Sequence, residues 1–358
     1  MTRIERVLAA INHAEPDRVP KGEVGGGVSD ELAIDLLDPR GECSTPWSFG
    51  ATELNVAARR VLGMDIMSLC LPGPPEEHVP LEDDRVLCRD AFGCERERHP
   101  GGQSRKVRHC LLSPSDVYDY RFPSADQFDT AIVTSLVRES DFFVFPVVTG
   151  AFEASYEFLD FEDFMVWCRS SKREIKEWTR KLARFGAACA TGAVRAGAHG
   201  IVVADDLAYN TGMFLSPELM RELVFPYLEE EVAEIKALGV PVFLHSDGDI
   251  RPVLADIVAM GFNGWHGIQP SAGLDLVEIK RVCGDRLCLM GNVDVDLLVR
   301  GQPEEIEREV ERLIRLAAPG GGFILSSSNA LCSGVSAANA LAMYRTAERC
   351  EPTSLMRC

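Results

Sequence analysis

Several features that define common protein classes are missing from this sequence of 358 residues. It contains no uninterrupted run of about 18 apolar residues, so no membrane-spanning helix is predicted. The stretch from Met1 to Arg6 is charged and leads into an amphipathic segment, whereas a secretory signal needs an apolar stretch there. We therefore expect a cytoplasmic protein without a membrane partner.

The twelve cysteines are scattered, and no two of them are separated by two residues. Zinc ribbons, thioredoxin-type redox sites and ferredoxin-type clusters all depend on such closely spaced pairs. We expect most of these cysteines to be reduced thiols that pack as small hydrophobic side chains.

Basic residues are few relative to acidic ones, with 37 Lys and Arg against 55 Asp and Glu and a formal net charge of −18. An acidic surface repels the phosphates of nucleic acids and of anionic lipids, so neither is an expected partner. The excess charge is accounted for by solubility, and a small-molecule substrate is more compatible with it than a polymer.

From about residue 143 onward, short β-branched runs alternate with amphipathic helical stretches. This order predicts repeated βαβ units and a parallel sheet, in an α/β protein of the (β/α)₈ TIM barrel type. The predicted strands are Phe143–Val148, Gly200–Ala204, Val240–His245, Gly264–Ile268, Arg286–Met290 and Gly322–Ser326. The predicted helices are Pro217–Leu238, Ile250–Met260, Leu274–Val282 and Pro303–Ala317.

The first 140 residues are less regular, and they predict a helical extension before the barrel. Helical spacing of apolar residues occurs in Ile4–His13 and in Leu54–Leu62, and the apolar run Ile66–Leu71 follows. The stretch 72–123 is rich in Pro, Gly and charge, which favours an inserted lid with a small antiparallel piece at Val86–Arg89 and Glu95–His99. We interpret residues 1–358 as one domain, and a homodimer remains open.

Each apolar run of the predicted strands from residue 143 onward is followed within a few residues by a polar residue. In a (β/α)₈ barrel the side chains that perform chemistry lie where strands end and loops begin, so this rim is the predicted active site. The strand-end residues are Glu153, Asp205, Asp206, the run from His245 to Asp249, Gln269, Asn292, Asp294 and the run from Ser326 to Asn329.

The run from His245 to Asp249 is the strongest candidate for a functional site among these clusters, because it places one His and two Asp within five residues. His245 and Asp247 could bind a divalent metal, or His245 could be a general acid or base that Asp247 orients. The alternative is structural: Asp247 or Asp249 caps the next helix and His245 is a hydrogen-bonded strand-end residue. We favour a cap role for Asp249 and a functional role for His245.

Asp205 and Asp206 are adjacent on a strand and therefore point to opposite faces, and we favour Asp206 as the one that faces the barrel axis. Glu153 could be a metal ligand or a helix cap. Cys332 could complete a soft metal site, although a buried structural thiol is the favoured interpretation. The aromatic residues Phe152, Tyr156, Tyr209 and Trp265 could line a pocket or belong to the core.

Several segments, in their order along the chain, resemble the uroporphyrinogen decarboxylase superfamily. They are Arg6–Pro20, Asp205–Leu207, Ser216–Glu218, His245–Asp249, Gly291–Asp294, and Ala318–Leu325 followed by Asn339. The resemblance implies a (β/α)₈ barrel with its site in the C-terminal mouth. The decarboxylases of this family carry an early Phe-Met-Arg-Gln-Ala-Gly-Arg type motif that holds substrate carboxylates, and the corresponding stretch here, 21–28, has no arginine. The resemblance is therefore closer to the corrinoid-dependent methyltransferase branch.

Members of that branch that act on coenzyme M bind zinc through a His-x-Cys pair and a later Cys. The pair corresponds here to His245 and Asp247, and the later Cys corresponds to Asn329, with Cys332 three residues further on. Oxygen in place of sulfur makes a harder site, suited to polarising an oxygen atom. The resemblance then implies a methyltransferase that moves a methyl group from a small donor, a methoxylated aromatic being favoured, to the cobalt of a corrinoid protein.

The roles implied for individual residues follow from this resemblance and from the strand ends. The predicted catalytic residues are His245, Asp247 and Asp206. The predicted substrate contacts are Glu153, Tyr156, Tyr209, Gln269, Asn292, Asp294 and Asn329. The predicted ligands of a metal such as zinc are His245, Asp247, Glu153 and Cys332. A decarboxylase or other lyase, and a non-catalytic protein that binds a ligand or a corrinoid protein, are the alternatives.

Overall fold

Seven parallel strands form one curved sheet in the computed structural model, which describes residues 1–37, 53–99 and 104–350. The order of these strands across the sheet is their order along the chain, as expected of repeated βα units. The strands are Ile66–Cys70, Phe143–Thr149, Ile201–Ala204, Val242–His245, Gly264–His266, Cys288–Val293 and Phe323–Ser327.

A short extended segment between the first and last strands closes this sheet into a barrel. The N–H of Gly22 donates to the carbonyl of Leu325 at 3.1 Å, and the N–H of Leu325 donates to the carbonyl of Pro20 at 2.9 Å. On the other side, the N–H of Asp65 donates to the carbonyl of Lys21 at 2.7 Å. The segment from Pro20 to Gly22 occupies the eighth strand position, and the predicted (β/α)₈ fold is confirmed.

Buried charges hold the closing segment in place. The carboxylate of Asp65 is fully buried and accepts hydrogen bonds from Arg6 at 2.9 Å and from Arg18 at 2.7 and 2.8 Å. It also accepts the backbone N–H of Lys21 at 3.1 Å. A carboxylate at this depth is stable only when its hydrogen-bond partners are present, so Asp65 links the N-terminal segment to the barrel.

Helices cover the outside of the sheet. The helix bounds are Arg3–Ile11, Asp30–Leu37, Glu53–Val61, Ala131–Glu139, Glu153–Phe158, Phe161–Ser170, Lys172–Arg195, Pro217–Leu223, Phe225–Lys236, Leu254–Met260, Leu276–Cys283, Val295–Arg300, Pro303–Ala317 and Ala337–Arg349. Within the described ranges, none of them combines the length and the apolar character needed to cross a membrane.

The predicted helix Pro217–Leu238 is two helices, which meet at Val224. The reason is Pro226, which has no backbone N–H to continue the first helix and is accommodated in the first turn of the second. The prediction for 250–260 is modified in the same way, since a 3₁₀ turn that contains Pro252 precedes the helix Leu254–Met260.

The inserted region carries a separate four-stranded antiparallel sheet. Its strands are Glu77–Pro80, Val86–Arg89, Glu95–Arg98 and Ser104–Arg108, of which the middle two were predicted. The two edge strands are exposed and rich in charge, so they carry no alternating apolar signal. Phe92 anchors the sheet to the barrel: its ring packs against Phe158 and Phe185, and its carbonyl accepts the hydroxyl of Tyr120 at 2.9 Å.

Candidate active site

Three predicted residues meet at the C-terminal mouth of the barrel. Asp206, His245 and Asp247 each offer a ligand atom, and these atoms lie within 4.8 Å of one another. Asp206 comes two residues after the strand Ile201–Ala204, and His245 ends the neighbouring strand Val242–His245. The two strands pair in parallel with His245 opposite Ala204. The backbone N–H of Asp247 donates to Oδ1 of Asp206 at 2.8 Å, which ties the two loops together.

Asp205, which precedes Asp206 in the chain, has a structural role. It is fully buried, and its Oδ1 accepts the backbone N–H groups of Phe152 at 2.8 Å and of Glu153 at 2.6 Å. Burial raises the pKa of Asp205 to about 7. Asp205 therefore shapes the loop that carries Glu153, and Asp206 is the member of the pair that contributes to the cluster.

Glu153 lies beside the cluster, where its Oε2 accepts the backbone N–H of Asp206 at 3.2 Å. Burial, together with the charges of Asp206 and Asp205, raises the pKa of Glu153 to about 8. Burial likewise raises the pKa of Asp247 to about 6. In the described part of the chain, no ion pair with Lys or Arg balances the carboxylates of the mouth, which therefore need protons or a bound cation.

Asp247 shows where a cation would be accommodated. Its Oδ2 accepts the side-chain amide of Asn329, whereas its Oδ1 is buried and has no hydrogen-bond partner among the described residues. A buried oxygen without a donor is costly, and a metal ion satisfies it. Two carboxylates and an imidazole are suitable ligands for zinc or a harder divalent metal, so Asp206, His245 and Asp247 fit such an ion.

His245 also contacts a second histidine, His266, which the sequence analysis missed. Nδ1 of His245 lies 2.8 Å from Nδ1 of His266, and the ring centroids are 4.9 Å apart. His266 is fully buried, and burial, with a smaller effect of His245, lowers its pKa well below the usual value. The only sequence signal for this contact is that His266 ends the strand next to that of His245.

The loop after His245 is shaped by Gly248 and Gln269. Gly248 has a φ of +76°, and a Cβ there would lie 2.6 Å from the backbone of Tyr209, so this position requires glycine. Oε1 of Gln269 accepts the N–H of Gly248 at 3.0 Å and fixes the turn. Asp249 accepts the N–H of Arg251 at 3.1 Å, but the residues at the cap positions are Ile250 for the 3₁₀ turn and Val253 for the helix Leu254–Met260, so the predicted cap role of Asp249 is wrong.

Three other predicted site residues have structural partners or lie apart. Asp294 caps the helix Val295–Arg300 through a hydrogen bond from the N–H of Asp296 at 2.7 Å. Asn292 is buried at a strand end with its Oδ1 unpartnered by the described residues. Cys332 is exposed, so its favoured interpretation as a buried structural thiol is wrong, and it is not part of the group formed by Asp206, His245 and Asp247.

A cavity of about 500 Å³ lies between the inserted sheet and the barrel, and Glu153 forms part of its wall. Its lining is mainly apolar and includes the rings of Phe92, Phe128, Phe158 and Phe185. These residues come from distant parts of the chain, and the sequence analysis did not find them. Glu153 links the cavity to the cluster, because it also contacts Asp206.

The aromatic residues proposed from the sequence occupy other places. Trp265 is fully buried, and its Nε1 donates to the carbonyl of Ser246 at 3.1 Å, so it belongs to the core. Tyr156 lies near the mouth, since after burial the charge of Glu153 is the main cause that raises its pKa. Its ring packs against Phe214, which also packs against the half-exposed ring of Tyr209.

Residues 78–350 match the family model described as uroporphyrinogen decarboxylase (URO-D). The chain belongs to the uroporphyrinogen decarboxylase family. The curated relative from Chlorobium phaeovibrioides, a uroporphyrinogen decarboxylase, is 34% identical over 128 residues, which are 34% of this chain and 33% of that protein. The relative of the same name from Sodalis glossinidius is 28% identical over 153 residues, 42% of this chain and 41% of its own. The chain thus matches about a third to two fifths of the length of these family members.

Solved structures support the fold over nearly the whole chain. A methyltransferase from Methanosarcina mazei superposes with a TM-score of 0.75 at 21% identity, covering 98% of this chain and 99% of that one. A B12-independent methionine synthase from Shewanella sp. W3-18-1 superposes with a TM-score of 0.53 at 12% identity, covering 93% and 98%. At these identities the likeness shows the fold alone.

Proposed function

We propose that this member of the uroporphyrinogen decarboxylase family transfers a methyl group from a small methylated donor to the cobalt of a corrinoid that a partner protein carries. The observation that carries the proposal is the cluster of Asp206, His245 and Asp247 in the barrel mouth, joined through Glu153 to an apolar cavity. The fold of the methyltransferase from Methanosarcina mazei, which superposes over nearly the whole chain, supports it further.

The charge of the mouth argues against a porphyrinogen with many carboxylates as the substrate. Glu153, Asp206 and Asp247 crowd the site, and no ion pair with a basic residue balances them within the described ranges. The stretch where decarboxylases of the family carry substrate-binding arginines here forms the closing segment of the barrel. Its one basic side chain, Lys21, is buried and pairs with Glu348 at 2.7 Å.

The cavity favours a methoxylated aromatic donor. Its four phenylalanine rings offer apolar faces to a flat ring, and its volume of about 500 Å³ is in the range of small-molecule sites. Glu76, Asp90 and Glu157 lie in the same wall as Arg96, and Arg96 pairs with Asp90 at 3.7 Å. Glu76 and Glu157 likewise pair with Arg98 at 3.5 Å and with Lys106 at 3.2 Å. Because these cations are already paired, the wall favours an uncharged donor over a carboxylated one.

In the proposed reaction the C–O bond of the donor breaks as the bond between carbon and cobalt forms, and the electron pair of the C–O bond remains on oxygen. Stabilising that oxygen is the main task of the site, because an alkoxide or phenoxide is a poor leaving group. A divalent metal such as zinc, held by His245, Asp206 and Asp247, would supply Lewis-acid stabilisation. Glu153 lies at the boundary with the cavity, where its carboxyl group can hold a proton for the leaving oxygen.

The remaining polar residues position these groups. Asn329 donates to Oδ2 of Asp247, whereas Oδ1 of the same carboxylate has no hydrogen-bond partner among the described residues. Gln269 holds Gly248 and thereby the loop that carries Asp247. Such supporting hydrogen bonds keep ligands in place without reorganisation during the reaction.

The test is a methyl-transfer assay with the full-length protein. Chemically reduced cob(I)alamin, alone and on an authentic corrinoid protein, is mixed with methoxyarenes, methanol, methylamines and betaines, and methylcobalamin is followed by absorbance. We expect product with methoxyarenes. Methyl transfer from another class would retain the reaction and correct the donor. No product with any donor would overturn the proposal, and carbon dioxide release from a porphyrinogen would replace it with decarboxylation.

A further inference from the structure

A chain of buried hydrogen bonds leads from the cluster into the barrel interior. Nδ1 of His245 contacts Nδ1 of His266 at 2.8 Å, Nε2 of His266 contacts Oγ of Ser326 at 3.2 Å, and Oγ of Ser326 donates to Oε2 of Glu23 at 3.0 Å. His266, Ser326 and Glu23 are all fully buried. The proposed reaction does not use any of these three side chains directly.

The direction of the chain is set at Glu23. Its Oε1 accepts the backbone N–H of Ser327 at 2.9 Å and the hydroxyl of Tyr344, and its Oε2 accepts the hydroxyls of Ser326 and Ser327. Four donors on two oxygens favour the ionised carboxylate, as does the charge of the fully buried Arg59 nearby. They oppose burial, which raises the pKa of Glu23.

Each later link follows from the number of protons available. The single hydroxyl proton of Ser326 is donated to Glu23, so Ser326 can only accept from Nε2–H of His266. A neutral His266 with its proton on Nε2 has a lone pair on Nδ1. That lone pair accepts a hydrogen bond from Nδ1–H of His245, because one of the two facing nitrogens must be the donor.

We propose that Glu23, Ser326 and His266 are positioning residues that hold His245 as the tautomer protonated on Nδ1, so that its Nε2 lone pair is free for the cation that Asp206 and Asp247 would also bind. Metal-binding histidines are commonly fixed in this way by the partner of their second nitrogen. The inference rests on the proposed role of His245 in the mouth, but its measurements do not depend on methyl transfer.

The first test reads the tautomer directly. In the metal-free, full-length protein with ¹⁵N-labelled histidine rings, two-bond and three-bond NMR correlations distinguish a proton on Nδ1 from one on Nε2. The signals of His245 are assigned by their loss in His245→Asn. We expect the proton on Nδ1. A proton on Nε2 of His245 would overturn the inference.

Glu23→Gln should reverse the chain rather than merely weaken it. The amide oxygen of Gln has to face the N–H of Ser327, which can only donate, and the amide nitrogen then faces the hydroxyls of Ser326 and Ser327. Ser326 would donate to His266, His266 would donate to His245, and the proton of His245 would move to Nε2. We expect this switch in the NMR spectrum and a roughly 10- to 100-fold loss of Co²⁺ and Zn²⁺ affinity, the usual scale for a supporting residue.

Thr179→Val is the matched control, because it removes a buried hydroxyl that donates to the carbonyl of Leu223 at 2.7 Å and has no part in the chain. It should leave metal affinity and tautomer unchanged. If Glu23→Gln does not fold, two substitutions at His266 decide: Asn retains an acceptor near the Nδ1 position and should retain more metal affinity than Leu. Equal affinities in that pair, or an unchanged tautomer in folded Glu23→Gln, would contradict the inference. A correct tautomer without methyl transfer would contradict only the proposed function.

Discussion

The backbone N–H of Asp247 donates to Oδ1 of Asp206 at 2.8 Å and joins the ends of two neighbouring barrel strands. Asp206 and Asp247 are both candidate metal ligands, so through this bond one candidate ligand positions the other. The loops therefore cannot move independently without loss of the hydrogen bond. The site is thus organised before the substrate binds. Substitutions in it should therefore lower kcat more than they raise the KM for the donor.

His245→Ala should lower turnover by roughly 100-fold or more, because the leaving oxygen loses its stabilisation. Donor binding should change little, since the phenylalanine rings of the cavity remain. The measurement is kcat and KM for methylcobalamin formation. His78→Ala, on the exposed inserted sheet, is the control and should behave as the wild type. Turnover unaffected by loss of His245 would rule out its assigned role.

Cys189→Leu should raise the KM for the donor by about 10-fold, because the larger side chain fills part of the cavity. Cys189 lies on the long helix Lys172–Arg195 and is not a member of the metal-binding group. Titration with Co²⁺ should therefore give wild-type affinity. A KM equal to that of the wild type would mean that the donor binds elsewhere.

Asp65→Asn should lower the free energy of unfolding by roughly 3–5 kcal/mol, because Arg6 and Arg18 would lose their buried carboxylate partner. The control is Asp141→Asn, which breaks an ion pair with Arg3 at a carboxylate that is 67% exposed and should cost at most about 1 kcal/mol. Urea unfolding measures both. Similar losses in the two variants would show that Asp65 does not secure the closing segment.

Asp17 should stabilise the fold at neutral pH and lose this effect in acid. The hydrogen bond from Arg6 is the largest cause that holds the pKa of Asp17 well below its usual range. A lowered pKa in the folded state means that the contribution is complete above the usual pKa of about 3.9 and declines as pH falls further. The difference in urea midpoint between wild type and Asp17→Asn should therefore shrink from pH 7 to pH 2.5. A constant difference across that range would contradict this linkage.

The barrel strands could be predicted because buried β-branched runs and amphipathic helices leave a strong local pattern. The closing segment could not, since Pro20, Lys21 and Gly22 form no apolar run. Their place is determined by hydrogen bonds to Leu325, about 300 residues away in sequence. The edge strands of the inserted sheet were missed for a related reason, because exposed strands need no apolar alternation.

Some residues of the candidate site could likewise be predicted from the sequence, and others could not. Asp206, His245 and Asp247 follow strands directly, so their convergence could be predicted from the general geometry of barrels. His266 and Glu23 have side chains inside the barrel, and only closure brings Glu23 to Ser326. The rings of the cavity belong to the inserted region, two helices and a loop, and no local pattern connects Phe92 with Phe185.

The closing segment gives the site a dependence on complete folding. Glu23 directly follows the three residues that fill the eighth strand position, so it reaches Ser326 only when that gap is filled. A partly folded chain with an open barrel could already bring together Asp206, His245 and Asp247 without defining which nitrogen of His245 carries the proton. On the proposed hydrogen-bond chain, tight metal binding requires the closed barrel, and metal affinity would report that the N-terminal segment has docked.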